Sequence, residues 1–204
     1  MKTPLFGIGI VGLALAALAL SRGATGAETA AAEAAEYAID PTHSNVLFKV
    51  QHFGASWFYG RFNEVSGEVA IDREKPANSH VLMIVKASSV DAKVSKLTDH
   101  LRSPDFLDAV QFPEIVFEST KVAAGKKKGT FEVTGELTLH GVTKPLTVAV
   151  EEVGSGAGPT GGEIVGLHTT FTIDRGEFGL KYGYDSGAVG KEVLLIVSVE
   201  AQRR

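Results

Sequence analysis

The stretch "TFEVTGELTLH", residues 130–140, indicates the fold class of this chain. Every second position is apolar or glycine, and the apolar face carries Phe131, Val133, Leu137 and Leu139. Threonine, glutamate and histidine occupy the positions between them. Successive side chains of a β-strand point to opposite faces, so this alternation indicates a strand with one buried and one polar face.

The same alternation recurs on both sides of this stretch. It predicts eight strands, at 46–52, 63–72, 80–87, 115–122, 130–140, 146–152, 163–173 and 192–201. Short segments rich in turn-forming residues connect most of them, among them "GVTKP" (141–145) and the glycine-rich "GSGAGPTGG" (154–162). Eight antiparallel strands favour a closed barrel, because closure removes exposed strand edges. The pattern alone also permits a two-sheet sandwich.

The long connection at 91–113 contains the predicted helix. Val94, Leu97 and Leu101 are spaced i, i+3 and i+7, as on one face of a helix. Pro104 is expected to end it. A second long connection, 174–191, is rich in glycine and predicts a loop with at most one short helical turn.

The N-terminus predicts secretion. An apolar run of about 16 residues, Leu5 to Leu20, follows a basic start and precedes small residues. It is shorter than the about 20 residues that span a bilayer. We therefore interpret 1–27 as a signal peptide, 28–36 as a flexible acidic and alanine-rich leader, and 37–204 as one domain; the alternative is an uncleaved membrane anchor. The chain has no cysteine and a formal net charge of −4, so neither disulfides nor a nucleic-acid-binding surface is expected.

Three residue types of a serine hydrolase, Asp40, His43 and Ser44, occur together in "AIDPTHSNVLFKVQH" (38–52). The chain lacks a G-x-S-x-G elbow, and the side chains of adjacent residues in an extended chain point to opposite faces. Asp-Pro also favours a turn. The stretch therefore predicts a turn that begins a sheet and no catalytic residue. No H-E-x-x-H or close histidine pair occurs, so no metal is expected.

The inward faces of the predicted strands are almost wholly apolar. By strand parity the lumen is lined by Phe48, Val50, Val65, Val69, Val133, Leu137, Leu139, Leu167 and Phe171. An eight-stranded barrel is just wide enough to be filled by its own side chains or to hold one small ligand. An apolar lumen suits a lipid, and no pair of titratable groups converges there for acid–base catalysis. The pattern leaves a filled core, in a structural or stress-protective module, equally open.

Two polar residues are candidates for the mouth of this barrel. His52 shares the inward row at the end of its strand. Arg175 follows Asp174 at the end of another strand, where it could form an ion pair or meet an anionic head group.

Several phrases in fixed order give the chain a family resemblance: "YAIDPTHSNVLFKVQHFG", "DHLRSPDFLD", "FPEIVFESTKV", "GELTLHGVTKPLTV" and "IDRGEFGL". From Tyr37 to Ala201 the sequence resembles the YceI-like proteins. The resemblance implies an all-β, eight-stranded antiparallel lipocalin-like barrel with one short helix in a long connection. It further implies a periplasmic protein that binds a polyisoprenoid lipid or isoprenoid quinone, without catalysis, metal or cofactor. Some members of the family form dimers, so the resemblance leaves the oligomeric state open between a monomer and a homodimer.

The resemblance also places residues near the barrel entrance. The match at "DHLRSPDF" places Asp99, His100, Leu101 and Phe106 near the helical cover. The stretch "SWFYGRF" (56–62) is bulkier than the small-residue turn of the family, so Trp57 and Tyr59 are expected to narrow or cap the entrance.

Overall fold

The structure is a computed structural model that describes residues 34–159 and 161–204. The predicted signal peptide and residues 28–33 of the predicted leader lie outside the described residues. The strand segments are β1 Ala35–Ile39, β2 Asn45–His52, β3 Ser56–Phe62, β4 Val65–Ile71, β5 His80–Lys86, β6 Val90–Asp91, β7 Glu114–Ala124, β8 Thr130–Leu139, β9 Val142–Ala157, β10 Glu163–Asp174 and β11 Val189–Arg203. Helix α1 is Ser95–Arg102, and short 3₁₀ turns occupy Pro76–Asn78, Ala87–Ser89 and Arg175–Phe178.

Eight of these segments form a closed antiparallel ring. The order is β1-β4-β5-β7-β8-β9-β10-β11, and β11 pairs back onto β1 with Tyr37 opposite Arg203. Closure gives every strand of the ring two neighbours, which satisfies the backbone groups that an open edge would leave unpaired. The predicted eight-stranded barrel is therefore confirmed, and the sandwich is excluded.

Strands β2 and β3 extend two strands of this ring. The C-terminal part of β11 pairs with β1, and its N-terminal part pairs with β2, where Val197 lies opposite Val46. Strand β3 pairs with the other edge of β2. β1 and β2 are thus two halves of one strand, bent at the turn 40–44, and β3 and β4 are halves of the next strand. The two bent strands, β1 with β2 and β3 with β4, form one long hairpin, which corrects two predictions. Residues 56–62 form a strand rather than a turn, and Ala35, inside the predicted flexible leader, already pairs with Ile71.

Strand β9 is longer than predicted, because residues expected in connections pair with neighbours. Lys144 lies opposite Leu137, within the segment expected as a turn, and Gly156 lies opposite Ile164. Cross-strand pairing outweighs the weak strand propensity of glycine and proline here. The remaining β8–β9 turn is His140-Gly141, with φ of 52° and 72°, the pair of left-handed residues that a type I′ hairpin turn requires.

Helix α1 lies in the predicted long connection and ends at Arg102, two residues before Pro104. Its N-terminal segment is tied to β6, because the amide of Ala92 donates to Oγ1 of buried Thr98 at 3.0 Å. Leu101 packs on the main core. Within the described ranges, no helix combines the length and apolar character needed to cross a membrane.

Candidate functional site

A large cavity lies inside the barrel. The centre of a water molecule could occupy about 240 Å³ of it, whereas one water molecule needs about 10–15 Å³ by the same measure. All eleven strand segments contribute to its wall, and the wall exposes only apolar atoms. A second cavity, beside Val122 and Phe131, measures about 20 Å³. The barrel is therefore not completely filled by its own side chains.

Most of the residues predicted to face the lumen border this cavity. They are Phe48, Val50, Val69, Val133, Leu137, Leu139, Leu167 and Phe171. Val65 does not border it: its side chain is buried, with 3% exposed, in the surrounding core. Val65 begins β4 at the bend of the long hairpin, and parity along a strand does not reveal which inward side chains their neighbours cover.

Further lining residues were missed by the sequence analysis. Phe62 comes from the unpredicted strand β3, and Leu107 comes from the segment after α1. Leu101 and Phe106, which the resemblance placed near the helical cover, also line the cavity. Four more belong to the predicted part of β11, 192–201, where they alternate along the strand: Val193, Leu195, Val197 and Val199. The period of two in β11 could have identified them, because the prediction already included that strand.

A network of polar groups closes the barrel at the end where β1 begins. Arg73 Nη2 lies 2.7 Å from Glu152 Oε1 and 3.3 Å from Glu163 Oε1. The hydroxyl of the fully buried Tyr37 donates to Glu163 Oε2 at 3.0 Å. Burial and, next, the hydrogen bond to Glu163 raise the pKa of Tyr37. These cross-links join elements that are distant in sequence, so an entrance is expected at the opposite end.

The opposite end is covered by three elements: α1, the segment 179–188, and the β2–β3 hairpin. Tyr182 links two of them, since its ring lies 4.9 Å from those of both His100 and Phe106. The amide of Phe53, in the hairpin, donates to the carbonyl of Ala188 at 2.9 Å. These elements contact one another through side chains and single backbone hydrogen bonds, so we expect the entrance at this end.

Arg175 holds the segment 180–190 in place from inside. The residue is 3% exposed, and its guanidinium donates from Nε to Gly190 O at 2.7 Å, from Nη2 to Val189 O at 2.8 Å, and from Nη1 to Leu180 O. The ring of Tyr184 lies 5.3 Å from Cζ. Burial lowers the pKa of Arg175.

Two expectations for Arg175 are corrected by this geometry. Asp174 forms no ion pair with it, because the carboxylate instead accepts from Gly176 N at 2.8 Å and Tyr184 OH at 2.9 Å. Arg175 does border the cavity, but the wall exposes no polar atom there. The guanidinium therefore serves the backbone and does not offer a contact for an anionic head group inside the cavity.

The other predicted mouth residues do not border the cavity. His52 is exposed at the hairpin, with its ring 4.6 Å from that of Phe53. Trp57 and Tyr59 point outward from β3 and are 56% and 58% exposed, so the expectation that they cap the entrance is wrong. Because β3 is a strand, parity turns Gly60 and its inward neighbours toward the barrel instead.

The two polar residues predicted at the helical cover differ in their surroundings. Asp99 is exposed and forms an ion pair with Arg102 at 3.7 Å. His100 Nε2 lies 3.0 Å from Asp105 Oδ2, and its ring packs edge-on against Phe106 at 5.0 Å. His100 therefore helps to hold the cover together, although it is not part of the cavity wall.

The contacts of Asp40, His43 and Ser44 are those of a turn. Asp40 Oδ1 accepts from the amide of Thr42 at 2.7 Å, and Asp40 Oδ2 lies 2.9 Å from His43 Nδ1. Ser44 Oγ instead bonds the backbone of Glu200, at 3.3 Å to its carbonyl and 3.2 Å from its amide. The predicted turn is confirmed, and the histidine is directed to Asp40 and not to the serine.

Two carboxylates lie beside the His43 ring: Nδ1 is 2.9 Å from Asp40 Oδ2 and 3.6 Å from Glu200 Oε1. The hydrogen bond to Asp40 raises the pKa of His43, and the same bond lowers the pKa of Asp40. Asp40, His43 and Glu200 offer ligand atoms within 4.8 Å of one another. His43 is exposed, and hydrogen bonding within the turn accounts for the arrangement.

An antiparallel eight-stranded barrel around an apolar cavity has the architecture of a lipocalin-like ligand-binding protein. The family model of the YceI-like domain matches residues 37–201. The chain belongs to the YceI-like family. This result confirms the resemblance and supports the expectation that the protein binds a ligand.

Named relatives and solved structures agree with this assignment. The chain is 40% identical to a UPF0312 protein of Vibrio parahaemolyticus, over 95% of this chain and 96% of the relative. It is 39% identical to protein YceI of Escherichia coli, over 94% and 95%. The structure of Burkholderia cenocepacia BcnA has 24% identity and a TM-score of 0.72, covering 79% of this chain and 98% of that one. A polyisoprenoid-binding domain from Saccharophagus degradans, implicated in plant cell wall breakdown, has 13% identity and a TM-score of 0.64, covering 84% and 99%.

Proposed function

We propose that this protein binds a long-chain polyisoprenoid lipid, of the isoprenoid quinone or quinone-precursor class, in its lumen and carries it through the periplasm. The cavity carries the proposal: it is large, lined by all eleven strand segments and walled only by apolar atoms. Each buried methylene of such a chain contributes about 0.8 kcal/mol. The proposed role requires no metal ion, cofactor or catalytic group.

Two further observations support the proposal. A protein of the same fold, from Saccharophagus degradans, is described as a polyisoprenoid-binding domain. The head group would remain at the covered end, because the cavity wall offers it no hydrogen-bonding partner. The lumen would thus recognise the tail by its shape and apolar character. It would accept the head group of an isoprenoid quinone as well as that of a quinone precursor.

The test reduces the lumen by one substitution. Leu137→Phe adds volume to the wall of the cavity without adding charge, and Val153→Phe places the same side chain at an exposed position outside it. We expect wild type and Val153→Phe to yield isoprenoid on solvent extraction and mass spectrometry, and Leu137→Phe to yield less or shorter lipid. The delipidated Leu137→Phe protein should lose little stability.

The opposite result would favour a filled core. Overpacking a filled core costs about 1–3 kcal/mol. A loss of that size in Leu137→Phe, together with wild-type protein that contains no lipid, would contradict the proposed function.

The periplasmic location has its own test. Wild-type protein from the periplasmic fraction should begin near residue 27 by N-terminal sequencing, as the apolar run and the small residues after it indicate. Protein that retains Met1 in the membrane fraction would contradict it.

A further inference from the structure

Exposed apolar side chains are concentrated at the covered end of the barrel. In residues 34–159 and 161–204, seven large hydrophobic side chains are exposed. Six of them belong to the hairpin, the segment around α1 or the segment 179–188: Phe53, Trp57, Tyr59, Val94, Val110 and Tyr182. The seventh, Val153, lies in the part of β9 that pairs near the closed end. Such a concentration on one side is typical of an interaction surface.

Phe53 is not explained by the fold. Its φ is +49°, a left-handed conformation that glycine and asparagine adopt more readily, and its ring is 68% exposed. Neither the local backbone nor burial in the core favours phenylalanine at this position. An exposed aromatic ring held at the tip of a hairpin is suited to insertion into an apolar phase.

The charges beside these rings fit a phospholipid surface. Lys49 Nζ lies 4.3 Å from the centre of the Trp57 ring, and Lys191 Nζ lies 4.8 Å from that of Tyr184. Among the described residues, neither lysine has a carboxylate within ion-pair distance, and neither does Lys181. In the segment 179–188, which contains Lys181, the carboxylate of Asp185 likewise has no cationic side chain within ion-pair distance among the described residues. Tryptophan, tyrosine and lysine side by side are characteristic of the bilayer interface, where apolar rings insert and ammonium groups reach the phosphates.

We propose that this end of the barrel, defined by the six exposed side chains, docks on the surface of a phospholipid bilayer. The inference rests on the proposed function, because an apolar cargo must leave a bilayer and return to one. Docking places the covered end of the cavity against the membrane. Insertion of Phe53 and Tyr182 would pull on the hairpin and on the segment 179–188, which the Phe53–Ala188 hydrogen bond joins.

Trp57 makes the proposal measurable. It is the sole tryptophan of the chain, and it is 56% exposed. The experiment adds vesicles of phosphatidylcholine, with and without phosphatidylglycerol, to the full mature protein and records Trp57 emission. We expect a blue shift and quenching by phospholipids brominated near the head of the acyl chain. The Phe53→Asn/Tyr182→Ser double variant should reduce the partition coefficient by about tenfold, the equivalent of 1.4 kcal/mol.

Matched controls test whether the exposed rings themselves cause the binding. Asparagine tolerates the left-handed backbone of Phe53, whereas Tyr182→Ser removes the ring contacts with His100 and Phe106. Circular dichroism and urea unfolding therefore have to show that the double variant is folded and as stable as Val153→Ser. Val153→Ser removes an exposed apolar side chain remote from the covered end and should leave partitioning unchanged.

Three results would overturn the proposal. The first is wild-type emission that vesicles do not change. The second is binding that salt abolishes, without quenching by brominated lipid, since that shows charge attraction alone. The third is a blue shift of Trp57 emission that appears without vesicles as the protein dimerises, with the dimer detected by light scattering. The surface would then contact a second copy of the chain. Isoprenoid extracted from a protein that does not bind vesicles would refute docking and leave the proposed function intact; vesicle binding by a protein that never contains lipid would do the reverse.

Discussion

Replacement of Arg175 by methionine should lower the free energy of unfolding substantially. Methionine keeps much of the apolar stem but removes the donors that hold the carbonyls of Leu180, Val189 and Gly190. Each buried acceptor left without a donor costs about 1–3 kcal/mol. Loss of the buried charge, which has no carboxylate partner in the described residues, offsets part of this cost. We expect a net loss of about 3–5 kcal/mol.

Urea unfolding measures this loss. The midpoint should fall for Arg175→Met at an unchanged m-value, as for a change in stability without a change in the surface exposed. Hydrogen exchange should also become faster at the amides of Val189 and Phe53, which bond Gly183 O and Ala188 O. Both effects follow if Arg175 fastens the segment 180–190 to the barrel.

The control is the same substitution at an exposed arginine. Arg61 forms a surface ion pair with Asp91 at 3.3 Å, and such pairs contribute about 0–1 kcal/mol. If Arg175→Met destabilises the protein no more than Arg61→Met does, or if exchange in the segment 180–190 is unchanged, the role assigned to Arg175 is refuted.

Two further predictions concern the turn and the lumen. In an NMR titration, His43 should have a pKa above the usual 6.5, and Asp40→Asn should lower it, because the hydrogen bond to Asp40 raises the pKa of His43. The stabilisation from this pair requires a protonated His43 and an ionised Asp40, so it is lost as pH rises through the raised pKa of His43 and also as pH falls through the lowered pKa of Asp40. A His43 titration that Asp40→Asn leaves unchanged would contradict this. Gly60→Ala would place a methyl group 2.3 Å from the Phe48 ring, which must move into the lumen, so lipid recovery should fall and stability should decrease by about 1–3 kcal/mol. Gly154→Ala, with no atom within 4 Å of the new methyl group, is the control and should change neither.

The sequence predicted those strands in which apolar, inward positions and polar, outward positions alternate regularly. Strands β8, β10 and β11 each keep one face apolar and the other largely polar, and this pattern is local. β3 was not predicted because Trp57 and Tyr59 are apolar but face outward, so the alternation is lost. If these side chains contact a membrane, their role in binding, and not the fold, explains why apolar and polar residues do not alternate in β3.

Ring closure and the inner surface were decided by tertiary structure. β1 is a strand because β4 and β11 supply its partners, and Tyr37 lies opposite Val69 on one side and Arg203 on the other. Nothing in residues 35–39 alone encodes those partners.

The candidate site shows the same division. Strand parity identified most of the cavity wall, since inward and outward positions alternate along a strand whatever its neighbours are. It could not show that Val65 is covered by other side chains, nor that three carbonyls from residues 180–190 converge on Arg175. Periodicity is a property of one strand, whereas covered volume and hydrogen-bond partners depend on which distant segments the closed barrel brings together.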